Sequence, residues 1–374
     1  MYRRSKYVAI SSNTYSKDGD TYKLVYAMTG PRLFVLSREV ADSLARNDIN
    51  HLSSDMTKSL LENGLLRTDS SRDEIAQAQE YLCQSGSDDT HRSFILMPTS
   101  LCNMCCAYCG QGTCPLRFTK STDETVNKRV IGAINDPQTT RVDVRWYGGE
   151  PMMAYHHILD MSHRYISAAH DSGTEYHSIM STNGSLITYD RLEKLYEQAA
   201  LRAINVTIDG YGNHHNNSRK MRSGRPTYQH IMNWLQESTS PEKALSNLDI
   251  LNRVNVTKDN AESIPKLLND IVGRNIQQGR THLQLMPVYN WGHDNSEYKV
   301  EQDRLDTMMV TWLDLAVSLG IHTNVLPLHR KTVLCPAVSK HEEIIDSNGN
   351  VFSCTEFPLV KQYENNNRLA SITI

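Results

Sequence analysis

The 374-residue chain lacks several features that would place it quickly. No run approaches the roughly 18 consecutive apolar residues of a membrane-crossing helix. The N-terminus, MYRRSKYVAISS, has no apolar core of a secretory signal. Net charge is only −3, so no broad basic field points to nucleic acid or to an acidic membrane surface. Eight cysteines in a chain of this length are too few for a disulfide scaffold. Internal repeats and low-complexity tracts are absent as well. A cytoplasmic protein of two or three domains with a large core is expected, with neither nucleic acid nor membrane as partner.

What is present is concentrated in Leu101–Gly110, LCNMCCAYCG, where Cys102, Cys106 and Cys109 stand at C-x3-C-x2-C spacing with Tyr108 before the last. Three soft thiolates this close suit an iron–sulfur cluster or a zinc ion. A closed structural zinc site takes four ligands; three on one loop leave a metal position open for a small molecule. Cys105 is off the spacing and is read as a non-ligand neighbour. Buried apolar filler is the bland alternative for all of these thiols.

The stretch resembles the signature of the radical S-adenosylmethionine (SAM) superfamily, C-x3-C-x-aromatic-C. The resemblance implies a [4Fe–4S] cluster on Cys102, Cys106 and Cys109, with Tyr108 beside the cofactor. It further implies SAM chelated by the fourth iron, one-electron supply from a donor such as flavodoxin or ferredoxin, and hydrogen abstraction by a 5′-deoxyadenosyl radical.

From Ser93 onward, β-type runs alternate with helix-type runs. Strands are expected at Ser93–Pro98, Arg141–Tyr147, Tyr176–Met180, Ala203–Ile208, Leu248–Val256 and His282–Met286. Helices are expected at Thr122–Asn135, Tyr155–Ala168, Tyr189–Ala199, Tyr228–Gln236 and Ile264–Val272. This alternation argues for a parallel α/β architecture. The resemblance makes it a partial (β/α)6 barrel over residues 93–290, with its site at the C-terminal strand ends. There the chain reads Gly148-Gly149-Glu150-Pro151, then Ser181-Thr182-Asn183-Gly184, then Thr207-Ile208-Asp209-Gly210 with His215, Asn216 and Arg219. Alone, these are an ordinary glycine turn, an Asn-Gly turn and a capping hydroxyl with a salt bridge. In order and spacing they match the family's GGEP, TNG and S-x-D-G-x5-H-D-x2-R segments, with Thr207 in place of Ser and Asn216 in place of Asp. The resemblance therefore assigns SAM contacts to Gly148, Gly149, Glu150, Pro151, Asn183, Thr207, Asp209 and Arg219, and more weakly to Arg253, Asn255 and Met286-Pro287.

Residues 1–72 read as a separate α+β module of winged-helix type. Three strands (Lys6–Ile10, Tyr22–Ala27, Arg32–Leu36) precede a Ser37-capped helix over Arg38–Asn47 and another over Ser54–Asn63. Residues 73–92 read as a helix and linker. In peptide-modifying members of the family such a module grips the leader of a precursor peptide as an added strand; a plain structural cap is the alternative. In residues 291–374, Cys335 and Cys354 flank an Asn348-Gly349 hairpin. The pattern resembles the start of a SPASM domain, which carries auxiliary Fe–S clusters, but no cysteine follows Cys354. Two thiols cannot complete a cluster, and Cys83 and Cys114 are the spare thiols outside the motif. Cys335 and Cys354 stand as ligands of an auxiliary cluster only if other groups join them.

The barrel also resembles anaerobic sulfatase maturases, in which an Asp after the second hairpin Cys acts as base. Here Thr355 stands there, and strand alternation would turn Glu356 to the opposite face. The expected activity is that of a radical SAM maturase forming a C–C, ether or thioether crosslink, or an epimer, in a ribosomal precursor peptide. The alternatives are a radical SAM enzyme on a sugar or aminoglycoside, a sulfatase maturase, and a non-enzymatic metal- or peptide-binding protein. No catalytic acid or base is identified; Glu356, Tyr289 and His293 lie in loops that could face substrate.

Overall fold

The computed structural model describes residues 2–68, 73–85, 88–112, 116–243, 245–323 and 335–372. They form two compact units, one up to Asp88 and one from Asp89 onward.

In the first unit, β1 (Tyr2–Arg4) pairs antiparallel with β6 (Leu66–Thr68). A second antiparallel sheet is built on β4 (Asp20–Ala27), which pairs with β2 (Val8–Ile10), β3 (Tyr15–Lys17) and β5 (Arg32–Ser37). Helix α1 (Arg38–Arg46) starts where Ser37 accepts a hydrogen bond from the Val40 N–H, and Asn47 ends it in the left-handed conformation at φ 57°. Such an N-cap is worth about 1 kcal/mol. Helices α2 (Ser54–Glu62) and α3 (Glu74–Ser85) complete the unit. Val25 and Ala27 of β4, Val40 and Leu44 of α1, and Leu60 of α2 share one buried core. The expected strands and helices are all found; β1, β3 and β6, three residues each, are too short to leave a periodic signal.

The second unit alternates strand and helix as expected. The strands are β7 (His91–Leu96), β8 (Arg141–Trp146), β9 (Glu175–Thr182), β10 (Leu201–Thr207), β11 (Asp249–Val256) and β12 (Thr281–Pro287). They lie in sequence order and pair in parallel, so every strand-to-helix loop emerges at one rim. The intervening helices are α4 (Lys120–Ile134), α5 (Tyr155–Ser172), α6 (Tyr189–Gln198), the short α7 (Asn213–Ser218), α8 (Tyr228–Ser238) and α9 (Ile264–Gly273). Then α10 (Gln302–Ser318) leads to β13 (His322–Thr323), parallel to β12. The sequence reading did not assign α10, although Leu305, Trp312 and Ala316 are buried and Met308, Met309, Leu313 and Leu315 pack against the same core at helical spacing.

Strand alternation decides which residues enter the site. Val142, Val144 and Trp146 of β8, Met180 of β9, and Ile204 and Val206 of β10 are buried in the helix-packed core. The opposite face carries half-buried Asp143, Arg145, Tyr147, Ser181, Asn205, Thr207, Arg253 and Asn255. A parallel sheet is usually apolar on both faces, so this polar face marks the concave side as a ligand cavity rather than a packed core.

The C-terminal hairpin departs from expectation. Strands β14 (Glu342–Ile345) and β15 (Asn350–Phe352) form, with Gly349 at φ +78° in the turn. They do not make a separate domain, however. β14 pairs in parallel with β7, and β15 pairs with β16 (Arg368–Ser371), which follows α11 (Lys361–Asn367). The first barrel strand would otherwise expose unpaired backbone groups; instead the N–H groups of Ser93 and Met97 donate to His341 O and Ile345 O at 2.9 Å. Ile95 and Met97 pack with Ile344, Phe352 and Leu359, and Tyr147 and Phe357 lean on the same apolar cluster.

Candidate cluster and cofactor site

The cysteine loop leaves β7 and is held from three sides. Gly149 N donates to Thr99 O at 3.3 Å and Glu150 N to Leu101 O at 2.8 Å. Gly148 sits at φ +123°, and a Cβ on it would lie 2.4 Å from Thr99 O; one on Gly149 would lie 2.4 Å from Ser100 O and from Leu101 O. The glycine pair thus admits the backbone of the cysteine loop itself, where the sequence suggested close approach of a ligand. On a second side, Cys105 N donates to Lys220 O at 2.8 Å and Arg222 N to Asn103 O at 2.9 Å, with a β-bridge between Met104 and Met221. On the third, His293 Nε2 meets Ala107 O at 3.2 Å and Asn295 Nδ2 donates to Tyr108 O at 3.2 Å. Gly292 lets the chain cross Gly110, since a Cβ there would stand 2.6 Å from Gly110 O. The Tyr289 side chain is 62% exposed, and its carbonyl accepts from Asn295 Nδ2 at 2.9 Å. His293, one of the loop residues noted from sequence, therefore grips the cysteine loop.

Cys102, Cys106 and Cys109 are half-buried, whereas Cys105 is exposed. Burial pushes the Cys106 thiol up to about 11, with Arg219 opposing and the neighbouring thiols adding to the rise. Cys102 is raised by burial too, and the charges of Glu150 and Cys109 add to this. Sulfurs crowded out of water in this way need a cation to be held as thiolates. Among the described residues, no three His, Cys, Asp or Glu side chains converge to hold a single metal ion. A cubane cluster instead places each thiolate on a different iron and asks for splayed thiols. The donor set fits that cluster, with three sulfurs on one loop.

Glu150 is fully buried at the N-terminus of a short 3-10 helix begun by Pro151. Its Oε1 accepts from Met152 N at 3.0 Å and Thr182 Oγ1 at 2.7 Å, and its Oε2 from Asn183 N at 2.7 Å. Burial raises this carboxyl; the three donors and the Arg219 charge pull it back. One acceptor position on Oε2 remains for a cation. Asn183 Nδ2 donates to Asn103 Oδ1 at 2.9 Å and stands 4.0 Å from Cys102 Sγ. Asn183 therefore touches the cluster end of the site. Thr207 ends β10 on the polar face, in register with Arg253.

The strand ends beyond β10 form one buried network. Tyr108 donates its hydroxyl proton to Asp209 Oδ2 and accepts from Arg219 Nη1 at 2.6 Å and Asn255 Nδ2 at 3.1 Å. Asp209 Oδ1 accepts from Asn255 N at 2.8 Å, and Asp209 N donates to His215 Nδ1 at 3.1 Å. His215 must then carry its proton on Nε2, which meets Thr227 Oγ1 at 3.1 Å. Burial and the Arg219 charge lower His215 to about 3, so it stays neutral. Asn216 Oδ1 accepts from Thr227 N at 2.9 Å and Tyr228 N at 3.1 Å, supplying without charge an acceptor at the start of α8. Asp209, expected from the resemblance to contact cofactor, is fully buried with both oxygens engaged inside the protein. Arg219 differs: it is 8% exposed and its Nε has no partner. An orphaned guanidinium donor at this rim fits a carboxylate or hydroxyl of a nucleoside cofactor.

The wall opposite is less legible in sequence. Trp291 Nε1 donates to Glu356 O at 3.0 Å. Strand β15 ends at Phe352, and Phe357 N donates back to Cys354 O at 3.3 Å across a turn. Strand alternation therefore does not govern Glu356. The Tyr147 phenol is raised by burial and by the charges of Cys109 and Glu356, with Arg253 and Arg145 opposing. Cys335 and Cys354 are half-buried, and Cys335 contributes to raising the Cys354 thiol. Cys114 lies outside the described residues.

Residues 96–264 match the Radical SAM superfamily, a family of enzymes that work with a [4Fe–4S] cluster and SAM. Among curated proteins, it is 26% identical over 142 residues to a serine-type anaerobic sulfatase-maturating enzyme of Bacteroides thetaiotaomicron. That match covers 36% of this chain and spans about a third (33%) of the relative. Among solved structures, anSMEcpe with bound AdoMet superposes with a TM-score of 0.57 at 17% identity, covering 76% of this chain and 78% of that one. Streptococcus suis SuiB bound to its precursor peptide SuiA gives 0.50 at 14% identity, covering 97% and 85%. At these identities the structural likenesses establish the fold. No helix among the described residues is long and apolar enough to cross a membrane.

Proposed function

We propose that the chain is a radical SAM maturase that modifies a residue of a ribosomally made precursor peptide, forming a C–C, ether or thioether crosslink or an epimer. The observation that carries this reading is the open edge of β5. Among the described residues that strand pairs on one side only, with β4. Leu33 and Val35, 51% and 64% exposed, line it. An apolar, unpaired edge of this kind accepts an extended peptide as an added strand. SuiB, similar in fold, is bound to a precursor peptide.

In the barrel, Cys102, Cys106 and Cys109 would hold the cluster. The free acceptor position of Glu150 would take the amino group of SAM, and Arg219 Nε a carboxylate or ribose oxygen. When bound, these cofactors supply one-electron cleavage of SAM and a hydrogen-abstracting radical; a flavodoxin or ferredoxin would deliver the electron. The chain's own residues position and shield. Ile95, Met97, Ile344 and Phe352 form an apolar wall that keeps water from the cavity.

Co-expression with short peptides encoded beside the gene, read by mass spectrometry, tests the proposal. A crosslink removes two hydrogens, and epimerisation in D2O adds one deuterium. Peptides of unchanged mass, together with oxidation of a free sugar, would sink it.

A further inference from the structure

Tyr108 lies between Cys106 and Cys109 in the cysteine loop, and its hydroxyl is bound to Asp209, Arg219 and Asn255 at the strand ends. Its one proton goes to Asp209, and both acceptor positions are taken, by Arg219 at 2.6 Å and Asn255 at 3.1 Å. Asp209 accepts one hydrogen bond on each oxygen, from Tyr108 and from Asn255 N, and lies 3.6 Å from Arg219. No hydrogen-bonding position on the Tyr108 hydroxyl is left for a ligand. Arg219 alone in the group keeps a buried donor without a partner. A guanidinium has many rotamers, and fixing it takes contacts that hold the fork while leaving one N–H aimed outward. Tyr108 Oη and Asp209 hold Arg219 in this way, and Tyr108 belongs to the loop that carries the thiols.

We propose that Tyr108 and Asp209 are positioning residues that orient the free Nε of Arg219 toward SAM and tie that orientation to the placement of the cluster loop. The hydroxyl of Tyr108, rather than its ring, is the working part. This rests on reading Arg219 as a SAM ligand. It explains why the aromatic residue of the C-x3-C-x-aromatic-C loop is here a tyrosine, and why a carboxylate is buried with no ligand-facing atom. Coupling of this kind makes SAM binding and cluster geometry two readouts of one hydrogen-bond set.

The experiment uses the full chain, reconstituted without oxygen, as wild type, Tyr108→Phe, Asp209→Asn and Arg219→Lys, with the Tyr108→Phe/Arg219→Lys double variant. Iron content, SAM affinity by equilibrium dialysis, and the electron paramagnetic resonance spectrum of the reduced cluster with and without SAM are read on each. Tyr108→Phe should keep its iron, bind SAM about tenfold more weakly, and lose the SAM-induced change in the spectrum. Asp209→Asn should behave alike, and the double variant should bind no worse than Arg219→Lys alone. Wild-type affinity and spectral change in Tyr108→Phe would overturn the proposal, as would additive losses in the double variant. Loss of iron from Tyr108→Phe with its melting temperature unchanged would also overturn it, by making the phenol a support of the cluster alone. Absence of SAM binding to iron-loaded wild type would overturn the ligand reading of Arg219 and this proposal with it.

Discussion

The two rims of the parallel sheet use the same residue types in opposite ways. At the rim where strands begin, Arg280 grips Asp249 through two hydrogen bonds of 2.7 and 2.8 Å, Arg141 reaches Asp143 and Glu175, and Lys340 meets Asp89 at 2.7 Å. The basic partners there stand in water. At the rim where strands end, Glu150, Asp209 and Arg219 are buried, each hydrogen-bonded to groups from other strands. Exposed pairs contribute at most about 1 kcal/mol, and burying charge costs several times that before its partners offset it. A fold has no structural reason to accept the second arrangement when the first serves for solubility. The costly rim therefore has the character of a ligand site.

The largest expected effect tests which rim holds the cluster. Changing Cys102, Cys106 and Cys109 together to Ala should take about four irons per chain to near zero, while a Cys335→Ser/Cys354→Ser variant keeps them. Iron that survives the triple change would place an auxiliary cluster on the hairpin cysteines and break the comparison. Next in size is one substitution with two signs. Gly149→Ala drives a Cβ to 2.4 Å from two carbonyl oxygens and should destabilise by about 1–3 kcal/mol. Gly132→Ala, in helix α4 with nothing within 4 Å of the added carbon, should stabilise by about 0.5–1 kcal/mol. Urea unfolding midpoints moving the same way in both would refute the steric reading of the glycine turn.

An effect confined to acid pH comes from His215. Its folded pKa, lowered to about 3, lies below the unfolded value of about 6.5, so the unfolded chain takes up the proton first. The stability this contributes is complete above about pH 6.5 and is lost as pH falls toward 3, by up to about 1.4 kcal/mol per unit. Replacing His215 with Gln should flatten the pH dependence of the unfolding midpoint between about pH 6.5 and 4; an unaltered slope would mean the imidazole is already protonated in the fold. Smallest of all, Arg280→Ala at the exposed rim should move the melting temperature by no more than about two degrees. A larger shift there would remove the contrast between the rims.

Much of the site was readable before folding was considered. The thiol spacing is local, and a cluster ligand set within eight residues, Cys102–Cys109, needs no tertiary information. The strand and helix periods of the barrel were legible because each strand packs one face against helices, so Val142, Val144 and Trp146 alternate with Asp143 and Arg145. The hairpin turn was legible because Gly349 takes a conformation that few other residues tolerate.

The roles inside the site were not readable in this way. Whether Asp209 meets a ligand or a tyrosine depends on bringing residues 108, 209, 219 and 255 together, separations that no local pattern encodes. The same holds for Gly149, whose neighbour proved to be the backbone of residues 100 and 101, and for β14, whose edge pairing made the C-terminal hairpin part of the barrel sheet. The sequence by itself determined most of the elements, their order and the spacing of the three thiols, because periodicity and spacing are properties of neighbours along the chain. Only the tertiary structure decided which polar groups satisfy one another and which, like Arg219 Nε, are left to face a ligand, because hydrogen-bond saturation is counted in space.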